Sequence, residues 1–221
     1  MNEDEIFCKS TFLRLSAEKQ KKIRDAAIKI FAENGYANAK MKTIAVAAGI
    51  SVGSLYQYFD TKEEIFLDTL QTMKYELESV LMPLLSAEVP FLNKIETVLR
   101  TLYRFSCRDP YVNKIYNEMT SEGNFPLSIR IAREIEGISS YYYRTLIEIA
   151  KKEEGLSETI DPEVFAFCLD NLFMMMQFSF SCEYYKKRKE IYLKEKAKDD
   201  EFVLNQTLSF LRGAFFFTEK D

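Results

Sequence analysis

The chain has 221 residues, of which 47% are apolar and 14% are aromatic, and its formal net charge is −4. This composition excludes a disordered chain and suffices for a substantial buried core. Only seven glycines and five prolines occur, which favours long helices over a many-stranded sheet. Histidine is absent, so Ser-His triads, His-based acid–base catalysis and most zinc or haem sites are excluded.

The basic residues are concentrated near the N-terminus. Residues 9–62 contain ten Lys/Arg and four Asp/Glu, a local charge of +6, whereas the rest of the chain is acidic. This asymmetry is typical of a DNA-binding head joined to an acidic body.

The first predicted helix follows Ser16, which can cap it, with Glu18 in its first turn. Asn34-Gly35 is expected to end it, with Gly35 in the left-handed conformation. One apolar stripe at helical spacing marks its buried face: Ile23, Ala26, Ala27, Ile30 and Phe31.

Residues 42–59 predict two short helices joined by a sharp turn. Ile44, Ala45 and Ala48 give the first helix a small apolar face, and Gly49 permits the turn. Ser51 caps the second helix, in which Leu55 and Phe59 point inward. Two short helices in this arrangement form a helix-turn-helix.

Thr61 and Glu64 match a capping box that opens a helix ending near Pro83. Five further helices are predicted, two of them opened by Asp-Pro pairs, and no strand pattern or repeat occurs. Their approximate ranges are 91–107, 110–120, 127–153, 162–187 and 200–217, with a charged connection over 186–200.

The segment from Ala17 to Gln71 resembles the N-terminal domain of the tetracycline-repressor (TetR) family. The motifs of that family occur here in order: Asn34-Gly35-Tyr36, Ile44-Ala45, Ala48-Gly49-Ile50-Ser51, Gly53-Ser54-Leu55-Tyr56, Tyr58-Phe59 and Lys62-Glu63-Glu64. The chain departs from the family at Ala39, Lys40 and Met41, where the family usually has a capping Thr or Ser. Thr43 is a partial substitute, and Lys40 offers a charge for phosphate.

The resemblance implies an all-α fold, with a three-helix helix-turn-helix domain followed by a C-terminal helical bundle for effector binding and dimerisation. The expected divisions are an N-terminal extension over 1–15, a DNA-binding domain over 16–62 with a connecting helix over 62–82, and the bundle over 83–221. The second helix of the motif is expected in the major groove of operator DNA. The candidate DNA contacts are Lys40, Lys42, Thr43, Ser51, Val52, Gly53, Ser54, Tyr56, Gln57, Tyr58 and Lys62.

Within that set, Lys42, Val52, Ser54, Gln57 and Tyr58 are candidates for base edges. Ser51, Tyr56 and Lys62 are candidates for phosphates, and Gly53 allows close approach of the backbone.

The resemblance also implies a homodimer that reads a palindrome. The last two helices of each chain are expected to form the dimer interface. The candidate interface residues are Phe165, Phe167, Leu172, Met175, Phe178, Phe202, Leu208, Leu211, Ala214 and Phe215. A small, largely apolar effector is expected inside the body. A neutral, lipid-like or cationic effector is expected in preference to a highly anionic one. Its candidate contacts, for which ordinary core packing is the alternative, are Tyr103, Phe105, Tyr141, Tyr142, Tyr143, Phe173, Met174, Met175 and Met176.

The sequence therefore predicts a ligand-responsive repressor rather than an enzyme, with no cofactor and no metal. An activator of the same family and an effector-independent architectural DNA-binding protein are the alternatives. Cys8, Cys107, Cys168 and Cys182 lack zinc or redox spacing, so we expect buried, reduced thiols, with metal or redox sensing as the alternative. The longest apolar run, Leu172–Phe180, is too short for a membrane span, so a soluble cytoplasmic protein is expected.

Overall fold

A computed structural model describes residues 6–119, 129, 136–154, 156–157 and 159–216. Within these ranges the chain is helical and contains no strand. The helices are α1 (Ser10–Leu13), α2 (Ala17–Asn38), α3 (Met41–Ala48), α4 (Val52–Tyr56), α5 (Lys62–Leu85), α6 (Phe91–Arg108), α7 (Pro110–Met119), α8 (Gly137–Glu153), α9 (Pro162–Ser181), α10 (Glu183–Leu193) and α11 (Asp200–Phe215), with a 3₁₀ helix over Lys194–Lys198 between the last two. Most of the N-terminal part of the helix predicted over 127–153 lies outside the described residues.

The predicted helix starts are confirmed by their capping hydrogen bonds. Ser16, Ser51, Thr61 and Asp161 each accept a hydrogen bond from the backbone N–H three residues further on. The Glu64 carboxylate reaches back as the predicted capping box requires, but it accepts from the N–H of Asp60 at 2.6 Å, one residue before the capping Thr61. Short polar side chains before an apolar stripe are therefore sufficient to set where these helices begin.

Three helix ends differ from the prediction. The first helix breaks at Gly35 as predicted, but the φ of 75° and ψ of 158° are not left-handed helical, and a further short helical segment follows the kink to Asn38. Pro83 lies inside the last turn of α5, which ends two residues later at Leu85. The helix predicted over 162–187 is interrupted at Cys182, whose extended backbone (φ −105°, ψ 130°) separates α9 from α10. The charged stretch after it is largely helical.

The first apolar cluster joins α1 to α5 with α7. Phe12, Phe31, Ile44, Leu55 and Phe59 are at most 1% exposed within it, and Ile115 of α7 packs against the same residues. Helix α7 therefore belongs to the core beneath the helix-turn-helix, although it lies far from that motif in sequence.

The second apolar cluster forms the body from α6, α8, α9 and α11, with Leu81 from the far end of α5. Arg100 of α6 holds α11 in place with hydrogen bonds to Glu201 at 2.9 Å and to Asn205 at 2.9 Å. Helix α5 thus contributes its first half to one cluster and its last turns to the other.

Helix α9 has the length and composition of a membrane span, with 20 residues and a mean hydropathy of 1.3 over its most apolar window. The apolar run Leu172–Phe180, which the sequence analysis judged too short for a membrane span, is part of this longer helix. About a third of that window is buried inside the chain, and α9 packs along α8, α6 and α7.

All four cysteines are free thiols, but only Cys182 is buried. Cys8 is half-buried, and Cys107 and Cys168 are exposed. The prediction of buried thiols was wrong at the two exposed positions, because α6 and α9 are each apolar over more than the face that packs inside the chain.

Candidate nucleic-acid interface and body cavity

The turn between α3 and α4 has the geometry that the glycine predicts. Gly49 is left-handed (φ 72°, ψ 33°), and its N–H donates to the Ala45 and Val46 carbonyls. Ile44, Ala45 and Ala48 on α3 and Leu55 on α4 are at most 2% exposed. Small residues at this contact let the two helices approach closely, which leaves their opposite faces open to solvent.

The exposed residues of α3, α4 and the turns that flank them, which we call the open face, include most of the predicted DNA contacts. Seven of the eleven residues are exposed: Lys40, Lys42, Thr43, Ser51, Gly53, Tyr56 and Gln57. The other four are half-buried: Val52, Ser54, Tyr58 and Lys62. Val46, which the sequence analysis did not select, is 70% exposed on α3; an apolar residue on the polar side of a short helix was the available signal.

Lys62 is engaged inside the chain. Its ammonium donates to the carbonyls of Tyr36 at 2.6 Å and Ala37 at 3.0 Å and lies 4.6 Å from the Tyr36 ring centre. These contacts satisfy backbone oxygens at the end of α2 and place the positive charge against its negative dipole end. A structural role for Lys62 therefore accompanies the predicted phosphate contact.

The start of α3 lacks a side-chain cap. Lys40 occupies the capping position without a side-chain hydrogen bond, and the Thr43 N–H donates to the Lys40 carbonyl at 2.9 Å. In contrast, the Ser51 hydroxyl at the start of α4 contacts the Ser54 N–H at 3.0 Å and the Ser54 hydroxyl at 2.8 Å. Ser51 and Ser54 are thus held together on the open face.

A cavity of about 150 Å³ lies in the body between α5, α6, α7, α8 and α9. Its walls combine apolar and aromatic side chains with charged ones. The residues that line it are Met73, Lys74, Glu76, Leu77, Val80, Thr101, Leu102, Phe105, Arg108, Asp109, Val112, Asn113, Tyr116, Glu136, Ser139, Tyr143, Asp170, Phe173, Met174 and Gln177.

One side of the cavity is acidic. Burial, together with the nearby Glu136 carboxylate, raises the pKa of Asp170 from its usual 3.8 to about 6, opposed by a hydrogen bond with Ser139. The Tyr116 hydroxyl donates to Glu136, and burial raises the pKa of Tyr116. Burial also raises the pKa of Tyr143, and the negative charge of Asp170 adds to this effect. A positive or hydrogen-bond-donating group would be stabilised here.

Four of the nine predicted effector contacts line the cavity: Phe105, Tyr143, Phe173 and Met174. Tyr103, Tyr141, Tyr142, Met175 and Met176 are not among the lining residues. Tyr142 is fully buried and Tyr141 is 51% exposed, because consecutive residues of a helix point about 100° apart. The sequence analysis missed the polar lining, above all Asp170 and Glu136, since carboxylates in helices usually face solvent.

The predicted dimer residues differ in how far they are buried within the chain. Phe178, Leu211 and Phe215 are at most 4% exposed and belong to the chain's own core. Phe165, Leu172, Met175 and Leu208 are half-buried, whereas Phe167, Phe202 and Ala214 are exposed. Val164 and Phe210, which the sequence analysis did not include, are 56% and 67% exposed on α9 and α11.

The part of the chain that the structure describes holds no group of three or more Cys, Asp or Glu placed to bind a metal ion.

Residues 23–69 match the family model for bacterial regulatory proteins of the tetR family. The HTH-type transcriptional regulator YhgD of Bacillus subtilis is 27% identical over 164 residues, which cover 74% of this chain and 85% of that protein. The match to the family model contains α3 and α4, which carry the open face, and it extends into the start of α5.

Solved structures share the fold over nearly the whole chain. The fatty acid degradation regulator FadR from Bacillus halodurans has a TM-score of 0.70 at 19% identity, covering 88% of this chain and 96% of that one. FadR from Bacillus subtilis in complex with stearoyl-CoA has a TM-score of 0.68 at 18% identity, covering 86% of this chain and 97% of that one. The body, which lies outside the matched family model, thus has the architecture of these proteins.

Proposed function

The chain belongs to the TetR family of transcriptional regulators, and we propose that it is a cytoplasmic, homodimeric repressor that a small effector releases from its operator. Residues 16–62 are the proposed DNA-binding domain, continued by a connecting helix over 62–82. Residues 83–221 are the proposed effector-binding and dimerisation domain.

The open face of α3 and α4 is the observation that carries this proposal. It presents Lys42, Tyr56 and Gln57 as exposed side chains on two helices whose opposite faces are buried. We propose that α4 enters the major groove, where Gln57 reads a base edge and Tyr56 contacts a phosphate. The basic charge of residues 9–62 supports a polyanionic partner.

Exposed apolar side chains on α9 and α11 support a dimer. Val164 and Phe167 on α9 and Phe210 on α11 are each more than half exposed. Apolar side chains grouped on two helices are typical of a subunit interface. We propose that these two helices pack against the same helices of a second chain.

The position of α7 supports ligand control. One of its faces contributes Val112, Asn113 and Tyr116 to the cavity, while Ile115 packs into the core beneath the helix-turn-helix. A ligand that displaces α7 would therefore also shift α2. Operator affinity would then fall in proportion to how much more tightly the ligand binds the shifted form than the unshifted form.

The lining supports an effector with an apolar part and a neutral or positively charged polar group. Asp170 and Glu136 lie on the acidic side, and Phe105, Phe173 and Met174 supply apolar surface. A carboxylate ligand placed beside Asp170 would be opposed by its charge. The proposed effector therefore differs in charge from stearoyl-CoA, which is bound in the solved complex of the structural neighbour FadR from Bacillus subtilis.

DNA selection tests the regulatory role. Purified protein should enrich a palindromic sequence from a pool of random duplexes, and its affinity for that sequence should exceed that for a scrambled duplex at every salt concentration. Equal affinity for both, falling equally with salt, would favour the architectural alternative.

Ligands that share one alkyl chain test the effector class. Octylamine should raise the melting temperature and release the selected operator at a lower concentration than octanoate or octanoyl-CoA, and Asp170→Asn should reduce this preference. A response to octanoyl-CoA alone, unchanged in Asp170→Asn, would contradict the proposed chemistry.

A further inference from the structure

Residues 6–13, which we call the arm, precede α2 and lie against the C-terminal end of α4. The Lys9 N–H donates to the Tyr58 carbonyl at 2.9 Å, and the Lys9 ammonium donates to the Tyr56 carbonyl at 2.9 Å. The Thr11 hydroxyl donates to the Gln57 carbonyl. The arm thus binds three consecutive carbonyls at the end of the helix that carries the proposed base contacts.

The arm is itself fixed by buried and charged contacts. Phe12 is fully buried, with its ring centre 4.8 Å from that of Phe59 and 5.0 Å from the Arg24 guanidinium. The Lys9 ammonium also pairs with Asp60 at 2.5 Å. Phe7 and Cys8 are half-buried and pack against the first apolar cluster, so the start of the arm also lies against the domain.

Helix α4 needs such support because it has only five residues. A helix of one to two turns is not stable by itself, and its last carbonyls have no partner within the helix. At this end the chain turns through Gln57 and Tyr58 towards α5, so the partners that hold these carbonyls also fix the direction of the helix.

We propose that the arm is a positioning element for base reading, in which Thr11 and Lys9 set the orientation of Gln57 and Tyr58 without contacting a base. This inference rests on the proposed function and adds residues outside the matched family model, which begins at residue 23. Base-edge hydrogen bonds require defined geometry, whereas attraction to phosphates tolerates small displacements. Loss of an arm contact should therefore reduce discrimination between sequences more than overall DNA affinity.

Thr11→Val tests the inference, since it removes the hydroxyl donor and nearly preserves the shape of the side chain. Thr11→Ser keeps the donor and serves as the rescue variant. Thr97→Val is the matched control, because Thr97 is also exposed and its hydroxyl also donates to a backbone carbonyl, that of Asn93 at 2.8 Å. For each protein, affinity is measured for the operator selected by the wild type and for its scrambled duplex.

We expect Thr11→Val to lower the ratio of specific to non-specific affinity by about fivefold or more, with Thr11→Ser and Thr97→Val within about twofold of wild type. Hydrogen exchange should also become faster in residues 51–60 of Thr11→Val and stay unchanged in residues 41–48. A wild-type ratio in Thr11→Val, or an equal loss of affinity for both duplexes, would overturn the inference while leaving the proposed function intact. A wild type that does not discriminate between the duplexes would overturn both.

Discussion

Gly53 lies on the open face of α4, where folding and DNA binding favour different residues. A Cβ added there would meet only the Ser51 hydroxyl oxygen, at 3.8 Å, so the fold has room for alanine. Alanine is also a better helix former than glycine by about 1 kcal/mol. We propose that the backbone at Gly53 approaches DNA closely, where a methyl group would intrude.

We therefore expect Gly53→Ala to leave the free energy of unfolding unchanged or to raise it by up to about 1 kcal/mol. Operator affinity should fall about tenfold or more, as expected for loss of a contact worth roughly 1–3 kcal/mol. Gly137→Ala at the start of α8, where nothing lies within 4 Å of the added Cβ, should have a similar effect on the free energy of unfolding but should leave operator affinity unchanged. Wild-type operator affinity in Gly53→Ala would remove Gly53 from the DNA interface.

Asp170 predicts a dependence of stability on pH. The pKa of its folded form, about 6, lies above the usual 3.8, so the folded chain binds a proton more readily than the unfolded chain. The contribution of Asp170 to the free energy of unfolding is therefore least favourable above pH 6. This contribution becomes more favourable as the pH falls from 6 towards 4.

Asp170→Asn should remove this penalty and raise the free energy of unfolding at pH 7.5 by about 2 kcal/mol. The difference from wild type should shrink as the pH is lowered to 4. Urea unfolding of both proteins at equal concentration across this range measures it. A difference that grows on acidification would mean that the folded pKa of Asp170 is depressed instead of raised.

At the scale of residues, sequence patterns predicted which side chains point inward but not what the polar ones touch. The inward directions of Leu55 and Phe59 follow from helical periodicity. The two carbonyls bound by the Lys62 ammonium lie 25 and 26 positions earlier in the chain. Contacts over such separations depend on how α2 and α5 pack, which no local pattern contains.

The contact between α2 and α5 depends on a largely buried ion pair. Arg24 donates to both Asp68 oxygens, at 2.7 and 3.0 Å, and the Asp68 side chain is only 4% exposed. Breaking such a pair from one side leaves an uncompensated buried charge, which is more costly than removal of both partners.

Arg24→Met should therefore lower the free energy of unfolding by about 3–5 kcal/mol, whereas Arg24→Met combined with Asp68→Leu should recover at least half of that loss. Chemical unfolding of the three proteins measures both effects. A double variant that is as unstable as Arg24→Met would show that packing of the arginine, rather than the unpaired charge, accounts for the loss.

At the scale of elements, helix starts were predictable and several ends were not. A start is encoded by one side chain that caps it, such as Thr61 or Asp161. The break at Cys182 has no such code, because α9 contains no glycine, has no proline after its first residue, and remains largely apolar up to that point. The Cys182 side chain is buried against α7, with its sulfur 3.8 Å from the Asn113 carbonyl oxygen, so tertiary packing decides this end.

At the scale of the whole molecule, the proposed dimer joins two chains through α9 and α11. Phe210 is 67% exposed on α11, so replacing it with a charged residue should not disturb the subunit's own core. Phe210→Glu should convert the dimer to folded monomers, because an unpaired charge would be buried at the interface.

Val89→Glu is a matched control, since Val89 is 44% exposed in the connection between α5 and α6, outside the proposed interface. Sedimentation velocity should give a dimer for wild type and Val89→Glu and a monomer for Phe210→Glu. A dimeric Phe210→Glu would place the interface elsewhere.

The most direct test of a dimer that reads DNA with two copies of α3 and α4 is its response to the spacing of operator half-sites. Titration of the selected palindrome should give two chains per duplex. Insertion of five base pairs between the half-sites turns one of them about half a helical turn away, and it should reduce affinity about 100-fold or more, while insertion of ten restores part of it. Equal affinity for all three duplexes, or one chain bound per duplex, would contradict the account.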